Sequence, residues 1–121
     1  MAEHNVKGLK GEELAVTFLN NKNYIILETN WRHKNLEADI IAQTNGIMVI
    51  AEVKTRTSGF FGEPETFVTK QKQKNLRNAA NAYIENKQLD MEVRFDIISI
   101  ILGKDERQFK INHIENAFLF G

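Results

Sequence analysis

Apolar and polar positions follow two different periods along this chain. Over residues 5–22, Leu14, Ala15, Phe18 and Leu19 recur at i, i+1, i+4 and i+5, one side of a helix, and Asn20–Asn21–Lys22–Asn23 supplies a polar stop. Gly8 and Gly11 fall one turn apart in its first half, which implies either a close approach to the backbone or a frayed start. Alternation then predicts strands over Tyr24–Arg32, Glu37–Gln43 and Ile47–Thr57, the last two joined through Thr44–Asn45–Gly46. Asn-Gly between apolar runs is a strong hairpin signal. Residues 58–66 form a loop with two glycines around two phenylalanines. A second helix is expected over residues 67–87, with Leu76, Ala79, Ala80, Tyr83 and Ile84 on one face. Val93–Leu102 is nearly all apolar and reads as a central strand covered on both faces. A turn over Gly103–Arg107 leads to a last strand near Gln108–Ile114. The order α-β-β-β-α-β-β predicts an α/β fold, a mixed sheet of about five strands flanked by helices.

Composition narrows the chemistry. The 121 residues suit one domain, 1–121, with one core. There is no cysteine, which excludes disulfides, thiolate metal sites and a cysteine nucleophile. Apolar runs are strand-length, short of a membrane span, and the start Met1–Ala2–Glu3–His4–Asn5 is unlike a secretory signal, so a cytoplasmic protein without a membrane role is expected. The chain carries 16 basic and 16 acidic side chains, with no global bias toward nucleic acid. Residues 52–77, however, hold six basic against three acidic groups, most of the excess being Lys70, Lys72, Lys74 and Arg77. Charge alone leaves two readings open, a solvated helix face and a local nucleic-acid-binding patch.

The hairpin fixes a register. With Asn45 and Gly46 as the turn, Thr44 faces Ile47 and, counting outward, Asp39 faces Glu52. Directly opposed residues share a face with Cβ atoms about 5 Å apart, and two like charges there require compensation. Glu52, Lys54 and Arg56 alternate onto one face, continuous with the apolar Ile41, Ile50 and Met48. The acidic pair thus grows out of an apolar face, where a magnesium site belongs. Asp39, Glu52 and the Val53 carbonyl would supply its oxygen ligands, and Lys54 would hold the attacking water or stabilise phosphate charge. The competing reading is a solvated strand end in which Asp39 pairs with Lys54.

Asp39, twelve residues, then Glu52–Val53–Lys54 resembles the D…(D/E)-x-K signature of the PD-(D/E)xK nuclease superfamily. More specific is a longer set: Gly8-x-x-Gly11–Glu12-x-x-Ala15, Tyr24-x-Ile26–Leu27-x-x-Asn30-x-Arg32, Glu37-x-Asp39-x-Ile41–Ala42, Glu52–Val53–Lys54-x-Arg56, Phe61–Gly62, Lys70–Gln71 and Arg94–Phe95–Asp96. This set resembles the bacterial YraN family, described as candidate endonucleases and similar in fold to archaeal Holliday junction resolvases. The resemblance implies a restriction-endonuclease-like fold and a magnesium-dependent site, with manganese as a substitute. It gives Glu12, Asp39, Glu52 and Lys54 the catalytic roles, with metal ligands from Glu12, Asp39, Glu52 and Val53. Lys70 or Gln71 falls where resolvase-like proteins place a helix residue near the site. Ala38 stands where the superfamily signature has proline, which YraN-like sequences commonly lack too.

The expected partner is DNA, branched or otherwise structured, contacted by Arg56, Lys70, Gln71, Lys72, Lys74 and Arg77, with a homodimer as one way to widen the basic surface. The alternative is a non-catalytic nucleic-acid-binding protein on the same fold. His4, His33 and His113 show no metal-ligand spacing, Trp31 reads as packing, and Asp96, alone among apolar neighbours, reads as a structural carboxylate.

Overall fold

The computed structural model describes residues 3–57, 68–104 and 107–119, with side chains from Lys10 onward. The chain runs through α1 (Glu3–Asn21), β1 (Ile25–His33), β2 (Leu36–Thr44), β3 (Ile47–Thr57), α2 (Lys70–Lys87), β4 (Glu92–Leu102) and β5 (Phe109–Phe118). This is the expected order. The first helix ends where the asparagines stop it: Asn23 adopts φ 68, and Tyr24 N–H returns to the Leu19 carbonyl at 3.0 Å. Asn45 and Gly46 both take positive φ, as a two-residue hairpin turn of the strand-twisted kind requires.

The strands form one sheet in the order β1-β2-β3-β4-β5, with β3 and β4 parallel and the other pairs antiparallel. Two corrections concern the second half. The helix expected from residue 67 begins at Lys70, because Thr69 is its N-cap and takes the Lys72 N–H on its side chain. The last strand runs on to Phe118, past the expected Ile114. β4 is buried on both faces as expected, but lies between β3 and β5 while β3 is central. The loop read over residues 58–66 lies outside the described residues.

Among the described residues, each face of the sheet carries one helix. On one, Ala15 and Leu19 of α1 pack with Ile40, Ala42, Val49, Ala51, Ile98 and Ile100. On the other, Leu76, Ala80 and Tyr83 of α2 pack with Ile41, Met48, Ile50, Phe95 and Ile97. Trp31 meets the Tyr83 ring edge-on at 5.4 Å, in the packing role read from sequence. At Gly11 the α1 backbone comes so near β3 that a Cβ there would overlap Thr55 Oγ1. That close approach, one of the two readings open at the glycines, seats the first half of the helix and with it Glu12.

Asp96, 1% exposed, is the carboxylate the sequence marked as structural. Arg94 Nε and Nη2 donate to it at 2.9 and 2.8 Å, His113 Nε2 lies at 2.7 Å, and the Asn116 N–H donates at 3.0 Å. Burial alone would push its carboxyl up, but the bonds from His113, Arg94 and Asn116 together hold it below the usual range.

Candidate active site at a fork in the sheet

The hairpin register runs as counted, from Thr44↔Ile47 to Ile40↔Ala51, and stops there. Beyond it β2 stays paired with β1, through Trp31↔Ala38 to His33↔Leu36, while β3 stays paired with β4 through Glu52↔Ile97 to Thr57↔Leu102. The sheet therefore forks between β2 and β3, and Asp39 and Glu52 are the first residues on the two prongs. They do not face each other as a ladder pair. The Asp39 carboxylate instead crosses the fork and accepts the Val53 main-chain N–H on Oδ2 at 2.9 Å.

A cleft of about 500 Å³ occupies the fork, lined by Glu12, Glu37, Asp39, Lys72 and the β3 segment from Glu52 to Thr57. Glu12 enters from α1 and Lys72 from α2, so both helices contribute to it. Glu52 is 4% exposed. Its Oε1 lies 3.3 Å from Lys72 Nζ and 3.8 Å from Lys54 Nζ, whereas its Oε2 is buried with no hydrogen-bond partner among the described residues. Burial first, and then the neighbouring Asp39 charge, push the Glu52 carboxyl up to about 7, against the pull of Lys72 and Lys54.

Glu12 lines the cleft, but its Oε2 accepts a hydrogen bond from Asn30 Nδ2 at 2.9 Å. Asn30 stands on β1 across from Asp39, between the pairs Thr29↔Ile40 and Trp31↔Ala38, with φ 51 in the middle of a strand. A non-glycine residue held in the left-handed region within a strand is a strained feature of the kind that collects at functional sites. Sequence reasoning gave Asn30 no role, although Asn is among the few residues that tolerate this conformation.

The residues expected to contact nucleic acid separate. Lys72 and Arg56 line the cleft, and Arg56 Nη1 also donates to the Thr55 carbonyl at 2.9 Å. Lys70, Lys74 and Gln71 are exposed on α2 and do not line the cleft; the Gln71 amide is bonded to Asn75 at 3.1 Å. The helix residue brought to the site is thus Lys72 rather than Lys70 or Gln71. Arg77 is turned toward the Leu119 carbonyl at 3.5 Å.

Among the described residues, the donors a metal would meet at this fork are oxygens: the Asp39 and Glu52 carboxylates and the Val53 carbonyl. The buried, unpartnered Glu52 Oε2 is the observation that fits one, since such an atom costs about 1–3 kcal/mol while unsatisfied. Among the described residues no three carboxylate or imidazole groups converge as a ready cage. The residues present suit a cation that keeps several waters and binds through one or two carboxylates.

Fold and cleft together define a mixed α/β protein with a buried carboxylate–lysine site at a forked sheet. Residues 11–100 match the model of the family described as "Uncharacterised protein family UPF0102", and the chain belongs to that family. A UPF0102 protein of Flavobacterium psychrophilum is 52% identical over 118 residues, 98% of each chain. One from Bacteroides fragilis is 47% identical, covering 98% of this chain and 96% of the relative. One from Porphyromonas gingivalis is 42% identical over 98% of this chain and 87% of the relative. Among the described residues no helix is long and apolar enough to cross a membrane.

Proposed function

We propose that this protein is a metal-dependent endonuclease of the PD-(D/E)xK kind, hydrolysing phosphodiester bonds in branched or otherwise structured DNA. The observation that carries the reading is the buried Glu52, flanked by Asp39 and Lys54 at the fork, with one oxygen unpartnered. Magnesium or manganese would be held by Asp39, Glu52 and the Val53 carbonyl, with Glu12 completing the acidic shell. The cation would supply Lewis acidity to the phosphate and a more acidic water. Asp39 keeps its carboxylate on the fork through the Val53 N–H, which fixes the angle between the two ligand residues. Lys54, in the cleft and half-buried, would orient the attacking water and stabilise charge building on the phosphate. Exposed Lys70 and Lys74 would track the strand outside the cleft, and a homodimer would extend that surface.

The test is cleavage of end-labelled four-way junction, flap, duplex and single-stranded DNA with Mg2+ or Mn2+, comparing wild type with Lys54→Ala. Structure-selective cleavage by wild type, lost in the variant while binding persists, is the expected result. Equal binding by both proteins with no cleavage would overturn the enzyme reading in favour of a non-catalytic nucleic-acid-binding protein. Absence of both cleavage and binding would remove nucleic acid from the account.

A further inference from the structure

Among the described residues, the cleft lining contains four carboxylates, Glu12, Glu37, Asp39 and Glu52, and three cations, Lys54, Arg56 and Lys72. With all of them ionised the balance is one negative charge. A bound divalent cation would turn it into one positive charge, the complement of a single phosphodiester. The Lys72 ammonium competes directly for the carboxylate such a cation would need, 3.3 Å from Glu52 Oε1, an oxygen that Lys54 also approaches.

Two features suit Lys72 to leaving that position. Its main chain is pinned, since its N–H is bonded to Thr69 Oγ1, yet its side chain is 30% exposed and has room to swing. It also stands in the first turn of α2, which contains no acidic residue, although acids are the favourable choice at that end of a helix. Backbone N–H groups and lysines at a helix start present positive charge to an anion.

Resting on the metal-site reading above, we propose that Lys72 is a displaceable counter-ion with two partners. In the protein alone its ammonium neutralises Glu52. When a divalent cation takes that carboxylate, the ammonium passes to a non-bridging oxygen of the bound phosphodiester. Metal and nucleic acid then bind cooperatively, because the first frees a ligand for the second.

The experiment measures Mn2+ binding by titration calorimetry, and binding of a fluorescent four-way junction with and without Ca2+, for wild type, Lys72→Met and Lys72→Gln. Circular dichroism establishes that each variant is folded, and the glutamine form serves if the methionine form is not. Removing the competing charge should tighten Mn2+ binding about tenfold, and should weaken junction binding about tenfold with Ca2+ but little without it. Unchanged or weaker Mn2+ binding in both variants would overturn the exchange. So would an equal loss of junction affinity in the two conditions, which would make Lys72 a permanent phosphate contact. A folded wild type that takes up no Mn2+ would instead overturn the metal-site reading itself, and the exchange with it.

Discussion

Asp39 Oδ2 accepts the main-chain N–H of Val53 at 2.9 Å, so a side chain takes over from the backbone where β2 and β3 part. One carboxylate thereby does two jobs, closing the ladder and facing the cleft. The two separate by mutation. Asp39→Asn keeps an acceptor for the N–H and should hold the wild-type melting temperature while Mn2+ binding is lost. Asp39→Ala leaves that donor without its partner and should cost about 1–2 kcal/mol besides. Equal melting temperatures for the two variants, read by circular dichroism, would show that the bond contributes nothing.

Glu52→Gln should stabilise the metal-free protein, by an amount that depends on pH. The folded pKa of Glu52, about 7, lies above the ordinary glutamate value of 4.5, so the folded state holds its proton more tightly. Its contribution is fully present below pH 4.5 and is lost as pH rises through 7. Glutamine avoids the buried charge at pH 8, so the variant should there exceed wild type by about 1 kcal/mol, a few degrees of melting temperature. The gap should close by pH 4.5. Thermal melts across that range without metal check it; a gap that widens toward acid would reverse the assignment.

Asn30 should matter through Glu12 rather than through stability. Asn30→Gly retains the positive φ at little cost and should melt within about 1 kcal/mol of wild type. Asn30→Ala must enter the left-handed region without a polar side chain and should lose about 1–2 kcal/mol. Both release Glu12, so under the proposed function both should slow cleavage to the extent that Glu12→Gln does. Wild-type rates in Asn30→Gly would deny it any positioning role.

The seat of α1 on β3 rests on a single missing methyl. Gly11→Ala drives a Cβ into Thr55 Oγ1 and should destabilise by about 1–3 kcal/mol. Removing that oxygen in the double variant Gly11→Ala/Thr55→Ala should recover part of the loss, giving a coupling energy of at least about 0.5 kcal/mol in a double-mutant cycle. Strict additivity would mean that the contact is not what limits the approach.

Much of this architecture was legible because local chemistry dictates it. Asn45–Gly46 sets the turn, the turn sets the register, and the register carries Asp39 and Glu52 to the same end of the hairpin. Counting outward could not reveal that pairing stops at Ile40↔Ala51, since that depends on how β1 and β4 hold the two strands apart. The start of α2 was misplaced by three residues because Thr69 caps through its side chain, which apolar periodicity does not register. Within the helix it is Lys72 that faces Glu52, whereas Lys70 and Gln71 lie outside the cleft. Asn30 was quoted in a motif but given no role, because a strained φ in mid-strand has no hydrophobic signature. His113 was weighed only as a metal ligand, because its actual partner, Asp96, lies seventeen positions away on another strand.

The parallel join between β3 and β4 has a kinetic consequence. β1, β2 and β3 follow one another through short turns, whereas Glu52 pairs with Ile97 only after the intervening chain, including α2, has closed back on the sheet. Contacts between distant parts of a chain form slowly, since loop entropy is lost before they reward it. One prong of the fork is therefore held in place by the strand pairing that spans the longest stretch of chain among the described strands, the one expected to form last. During synthesis the residues for the cleft emerge early, but it takes shape only once β4 has left the ribosome and docked.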